Sequence, residues 1–317
     1  MQTLNKVMLT AALSLVMLPA QAKQESVDQR LQVPSNVVVS VDNLRGDIDI
    51  LGADIDYADV KGKLDEYATG FTFELNGSNL TIKVEMPERG NFSGDEETEL
   101  TIRLPLSAML EVNGVSTDFD VKNFSSDVRV NTVSGDIEAD DLNGRIRLST
   151  VSGDVDGERL AGEVDLKSVS GDVSDEESQA TRVSYRSTSG DVTADTVARH
   201  VTAESVSGDV KLHLQEVDTL QIKSVSGDLE ARTALAANGR IEANSVSGDA
   251  KLTLTGALNA RIEAEVSGGG SIENRLNDAR VDESEWGTGA SLTTELGDGS
   301  ARVELTSMSG DIVLQKN

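Results

Sequence analysis

Aspartate recurs in this chain at a spacing that invites cation chemistry. Asp136, Asp154, Asp172, Asp191, Asp209, Asp228 and Asp249 each close a Ser-Gly-Asp triplet, and Asp118 precedes them at the same interval. Carboxylates stacked one coil apart repel by about 1 kcal/mol per pair in water, and by more where solvent is scarce. Something must offset that cost. A ladder of calcium ions is one solution, as in secreted nonapeptide-repeat proteins. Their Gly-Gly-x-Gly-x-Asp pattern is missing, however, since each turn offers one Gly and one Asp. Hydrogen bonds from Ser hydroxyls or turn amides to each carboxylate are therefore the preferred expectation, with the cation ladder as the alternative.

Other chemistry is sparse. His200 and His213 are the only histidines, and neither has a Cys or a second His at ligand spacing. No Gly-x-Ser-x-Gly elbow precedes a helix, so a hydrolase triad has no support. Arg45-Gly46-Asp47 spells a cell-attachment tripeptide but falls on the positions of Ser152-Gly153-Asp154, in a strand and not at a loop tip. No catalytic residue, organic cofactor or firm metal site is assigned.

The elements that carry the aspartates follow from their period. Ser-Gly-Asp followed by an aliphatic residue begins at Ser134, Ser152, Ser170, Ser189, Ser207, Ser226, Ser247 and Ser309, mostly 18 to 21 residues apart. A fixed period in this range marks a solenoid of stacked coils. Coil starts fall at Leu110, Val128, Ile146, Val164, Val183, Val201, Leu220, Ile241, Ile262, Val281 and Val303, giving coils of 18 to 22 residues. In the template coil, Ile146, Leu148 and Thr150 alternate with polar residues, and then Val151, Gly153 and Val155 alternate with Ser152 and Asp154. A parity shift turns later side chains to the other face unless the chain bends. A corner or bulge is therefore expected between Thr150 and Val151, with Val151 and Gly153 inward. The glycine column marks a bend or a close backbone approach. The sequence leaves two or three sides per coil open.

Composition agrees with an all-β, single-chain β-solenoid (β-helix). Aromatics are 3% of residues, prolines number four, and Val, Ile and Thr recur between Gly, Asn, Asp and Ser. The formal net charge of −27 argues against nucleic acid or anionic lipid as partner, because both need basic surface. Lys6, the apolar run from Val7 to Leu18 and Ala20-Gln21-Ala22 read as a secretory signal peptide, residues 1–22, cleaved after Ala22. Loss of Lys6 would take the mature chain to −28. No later stretch holds 18 consecutive apolar residues and no cysteine is present, so neither a membrane span nor a lipidated cysteine is expected. The compartment is periplasm, cell surface or medium.

Residues 23–109 form an expected N-terminal β cap and first coil, and 110–317 the solenoid repeats. Val39 to Ile50 fits the coil template, with Leu44, Gly46 and Ile48 in the places of Val151, Gly153 and Val155. Phe71 to Leu75 and Leu80 to Val84 flank Asn76-Gly77-Ser78-Asn79, a hairpin signal, and Glu88 to Glu99 is an acidic loop. The coil from Val281 carries Trp286 in place of the template valine and suggests partial capping.

The SVSGDV repeats, the opening VVSVDNLRGDIDI segment and RLPLSAMLEV together resemble the bacterial putative-adhesin family of exported β-strand-repeat domains of unknown function. The resemblance covers most of the mature chain and implies a β-solenoid without catalytic residues. The leading functional expectation is a non-enzymatic envelope or surface module that binds a macromolecule, protein or polysaccharide, or spans distance. Self-assembly of open coil ends into a filament is the first alternative. A carbohydrate-active β-helix enzyme is the second, and a cluster of carboxylates and basic residues in a groove away from the ladder would favour it.

Overall fold

The computed structural model describes residues 24–317 except 91, 93 and 285–288. The signal-peptide reading and the capping role of Trp286 fall outside the described residues. All regular elements described are strands, joined into one sheet system that winds as a β-solenoid. No described helix is long and apolar enough to cross a membrane.

Each repeat contributes two strands and two bends. One strand column pairs in parallel through Leu110, Val128, Ile146, Val164, Val183, Val201, Leu220 and Ile241, the expected coil starts. The other pairs Phe119, Ile137, Val155, Val173, Val192, Val210, Leu229 and Ala250. These side chains are buried and form the two aliphatic walls of one continuous core. β-branched residues suit this position because a pleated strand packed between identical neighbours leaves one χ1 well to fill.

The first bend is the Ser-Gly-Asp corner. The second uses left-handed backbone at Asn123, Asp141, Arg159 and Glu177, with φ of 65°, 53°, 51° and 55°. Asn and Asp tolerate that region; Arg and Glu hold it because the strands on either side fix the path.

Two expectations about order and facing are corrected. Coils do not stack in chain order at the C-terminus. Ala301–Ser309 pairs with Arg240 to Ser247 on one side and with Ala260–Val266 on the other, so the coil at Val303 sits between those at Ile241 and Ile262. Ile312–Lys316 likewise lies between Ala250–Thr255 and Ile272–Arg275. Val281 starts no coil. Instead Ala290–Leu296 runs antiparallel along Ala260–Val266 and covers its outer edge. On this wall the outermost parallel edge is thus closed by a strand of opposite direction, whereas on the other wall Ile272–Arg275 pairs with Ile312–Lys316 alone among the described residues.

The N-terminal end repeats this device. Val38–Asp42 lies between Asn79–Glu85 and Met109–Asn113, and Arg45–Ala53 between Thr98–Pro105 and Ser116–Phe124. Gly70–Asn76 pairs antiparallel with Asn79–Glu85 through the turn at Gly77-Ser78, where Gly77 has φ 65°. Tyr57–Lys63 and Ser26–Gln32 close the other wall, again antiparallel.

The second correction concerns Val151. It is exposed, as is Ser152, while Thr150 and Gly153 are buried. The parity break therefore lies between Val151 and Ser152, and the valine stands on the corner instead of entering the core.

Candidate functional site

The corner from Thr150 to Val155 shows how each coil is locked to the one before. Thr150 Oγ1 donates to the Gly135 carbonyl at 2.9 Å, and Ser168 and Ser187 do the same one and two coils on, to Gly153 at 2.8 Å and Gly171 at 3.0 Å. These buried hydroxyls satisfy carbonyls that the bend removes from the strand ladder. Gly153 has no room for a side chain, because a Cβ there would lie 2.0 Å from the Gly135 oxygen. Gly171, Gly190 and Gly208 are equally tight, at 2.0, 2.1 and 2.0 Å from the preceding glycine oxygen. The column is thus a line of backbone contact between coils and not a narrowing of the interior.

Asp154 completes the lock. Its backbone N–H donates to Asp136 Oδ1 at 2.9 Å, and its own Oδ1 accepts the Asp172 N–H at 2.8 Å. The same bond links Asp118 to Asp136, and Asp172 through Asp191, Asp209, Asp228 and Asp249 to Asp311, at 2.8–2.9 Å throughout. At the end of the ladder, Asp311 Oδ1 accepts the backbone N–H and the hydroxyl of Ser271 at 2.7 and 2.9 Å. A hydrogen bond to an ionised acceptor contributes about 1.5–3 kcal/mol. That outweighs the repulsion of about 1 kcal/mol between neighbouring exposed carboxylates. Each carboxylate thus has an amide partner on Oδ1, and Asp209 Oδ2 lies 3.7 Å from Lys211 Nζ.

Among the described residues no group of three or more His, Cys, Asp and Glu converges as a metal site. Calcium and sodium chloride at equal ionic strength are accordingly expected to shift the melting temperature alike. A calcium-specific rise of several degrees, reversed by chelator, would give the ladder to cations instead.

Beside the ladder the charge on the two walls differs. On one, Asp156 is pushed above the usual carboxylate range by burial and then by Asp154, Glu138, Asp136 and Asp172. It lies in a shallow depression of about 350 Å³ with Lys122, Glu138, Asp140, Glu158 and Glu176. On the other wall Arg145, Arg147, Arg182 and Arg186 gather with Glu163 and Asp165. Between the walls runs the crest. Val115, Val133, Val151, Val206, Val225, Val246 and Met308 occupy it and are 43–56% exposed, and they make up most of the large hydrophobic side chains left open among the described residues.

Arg45 is not displayed for recognition. It is buried, 2.5 Å from Asp65 Oδ2, and donates to the carbonyls of Phe92 and Gly94 at 3.1 and 2.9 Å and to Glu97 at 3.2 Å. It pins the acidic loop onto the first coil. His213 is exposed and His200 half-buried on separate strands.

One carboxylate lies inside the core, at a position the repeat pattern does not mark as polar. Asp175 is fully buried and accepts hydrogen bonds from Ser178 Oγ and Tyr185 Oη. Desolvation pushes its carboxyl up to about 7, against those two bonds, and burial holds the Tyr185 phenol well above its ordinary range. Gly157, one coil earlier, leaves the space, since a Cβ there would stand 3.3 Å from Asp175 Oδ1. The available signal was an acid at the inward position that other coils fill with Ala139, Gly157, Ala194 or Leu212.

No match was found among curated proteins. Three solved structures match over most of their length. A Bacteroides fragilis protein described as a "putative adhesin" is 14% identical, covering 93% of this chain and 99% of that one, with TM-score 0.41. A Parabacteroides distasonis protein described as a "putative lipid binding protein" is 13% identical over 92% and 97%, with TM-score 0.43. A Clostridium sporogenes protein described as a "putative cell adhesion protein" is 11% identical over 92% and 100%, with TM-score 0.28. The family model Toastrack DUF4097 matches residues 38–315, and the chain belongs to that family.

Proposed function

We propose that this protein is an exported, non-enzymatic binding or scaffold module of the cell envelope, working along the corner where the Ser-Gly-Asp strands stack. Export is through residues 1–22, with cleavage after Ala22, to periplasm or cell surface. The observation that carries the reading is the ladder itself. The same outward pattern of apolar crest, serine and aspartate recurs in coil after coil from Val133 to Val246, with Thr188 at the crest in one of them, held in place by bonds from each Asp N–H to the preceding Asp Oδ1. A repeated line suits an extended partner, to which each coil adds a small increment of affinity.

The carbohydrate-cleaving alternative looks to the depression around Asp156. Its lining includes one cation, Lys122, but no aromatic platform for a sugar ring, and Lys122 is itself held by Asp120 at 2.5 Å. Against the filament alternative, antiparallel strands cover both walls at the N-terminal end and one wall at the C-terminal end, which leaves Ile272–Arg275 as the one outermost parallel strand among the described residues.

Changing Asp154, Asp172, Asp191 and Asp209 together to Asn tests the proposal. Asn Oδ1 can still accept the next amide, so the β-rich circular dichroism spectrum should persist while retention of the mature chain on isolated envelope material falls. If retention is unchanged in that variant and lost when residues 51–109 are altered, the working surface is the N-terminal cap.

A further inference from the structure

We infer that the crest joins two copies of this chain side by side, with their rods parallel and their coils in register. This rests on the reading of the crest as a working contact line and names the partner as a second copy. A valine at this corner is not required by the fold, because it packs into no core and Thr188 serves in its place in one coil. Yet the position is apolar in coil after coil, and the Ser134, Ser152, Ser170 and Ser189 amides that bond back to Val115, Val133, Val151 and Val169 carbonyls set the crest side chains one above another. The open surface of the crest is on the order of 500 Å², at the upper end of what a monomer leaves as a single patch. Two such crests and their shoulders together approach the ~1,200 Å² at which specific interfaces begin.

Charge selects the arrangement. One shoulder of the crest carries the Asp ladder. The other carries, in stacking order, Asn131, Ser149, Lys167, Arg186, Glu204 and Lys223. A two-fold axis along the rods brings the ladder of each copy against the mixed shoulder of the other. At matching coils Asp172 then meets Lys167, Asp191 meets Arg186 and Asp228 meets Lys223 of the second copy, against one unfavourable meeting, Asp209 with Glu204. A two-fold axis across the rods would set ladder against ladder along the whole contact, which like-charge repulsion disfavours. Arg186 already lies 2.9 Å from Asp165 and Lys223 lies 3.3 Å from Glu204, but these ion pairs are solvent-exposed and can be shared. Since each rod has one crest, the two-fold uses it up and assembly closes at two.

The absence of cysteine makes the geometry readable. In a parallel, in-register pair each crest residue faces its own copy, so Val133→Cys and Val225→Cys, made separately near opposite ends of the crest, should each give a disulfide-linked dimer on mild oxidation. Thr193→Cys, on the outer face of the other wall, should not. Sedimentation of the cysteine-free mature chain at about 100 µM in 0.15 M NaCl should show twice the chain mass. The triple variant Val133→Ser, Val151→Ser, Val206→Ser should weaken that dimer at least about tenfold, with an unchanged circular dichroism spectrum.

A dimer that links at neither single cysteine overturns the parallel arrangement. A monomeric chain whose envelope retention still depends on the Asp ladder overturns the self-pairing and leaves the contact-line reading standing. A monomeric chain whose retention is indifferent to both ladder and crest overturns both.

Discussion

Replacing Gly208 by alanine is expected to destabilise the solenoid by roughly 3 kcal/mol or more, a loss far outside the range of ordinary surface substitutions. The cause is one methyl group. A Cβ at residue 208 would lie 2.0 Å from the Gly190 carbonyl oxygen, 2.4 Å from its carbon and 2.9 Å from the Asp191 nitrogen. All three atoms are backbone in the neighbouring coil, so no rotamer change can relieve the clash; the coils must part. Parting would stretch the bond from the Asp209 N–H to Asp191 Oδ1, at 2.8 Å, and the bond from the Ser207 N–H to the Thr188 carbonyl, at 3.0 Å. Ser207→Ala, one residue earlier and exposed, should stay within about 0.5 kcal/mol of the parent. Equal melting temperatures for the two variants would show that the coils do not meet at the glycine. Because stability in a stacked repeat is spread over nearest-neighbour interfaces, the substitution should also broaden the unfolding transition, separating the coils on its two sides.

That clash marks the boundary of what the repeat pattern could say. Periodicity identifies equivalent positions, and the pairing of Val128 with Ile146, Val164, Val183 and Val201 follows the expected coil starts residue for residue. Gly46 and Ile48 pair with Thr117 and Phe119, the places foreseen for them in the template. Equivalence does not fix order in space, however. Val303 matches the template as well as Ile262 does, yet it stacks between Ile241 and Ile262, because the closing antiparallel strand must reach the outer edge of 260–266.

Facing was also only partly legible. Alternation from Gly153 and Val155 backwards assigns Val151 to the core, but two successive exposed residues, Val151 and Ser152, turn the corner. The hydrophobicity of a valine cannot by itself distinguish a core position from an apolar crest. The aspartate ladder was legible as a column and its bonding to turn amides was the preferred expectation. The threonine and serine column beneath it was not read for its role, since the carbonyl each hydroxyl serves belongs to a residue about fifteen positions earlier.

Asp175 gives the second large expected effect, in the pH dependence of stability. In the unfolded chain its carboxyl ionises near the ordinary 3.8; in the folded chain burial holds the proton until about pH 7. Between those values the folded state binds more protons than the unfolded state, so this group favours folding at low pH, and its contribution is lost as pH rises through 7. Between pH 5.5 and 8.5 the loss from this one group should be about 2 kcal/mol, taking 1.36 kcal/mol per unit of pH over the part of the window below the folded value. The parent's profile sums over every group that titrates in this window, so it alone would not isolate the effect. Asp175→Asn isolates it by difference. Asn preserves the volume beside Gly157 and an acceptor for Tyr185 or Ser178 but cannot titrate, so any cost of its misplaced amide hydrogens is the same at every pH. Urea unfolding at the two pH values should therefore show the parent losing about 2 kcal/mol more than the variant. Parallel profiles would mean that the buried carboxyl is already ionised at pH 5.5, with the Tyr185 and Ser178 hydroxyls sufficient to hold a charge inside the rod.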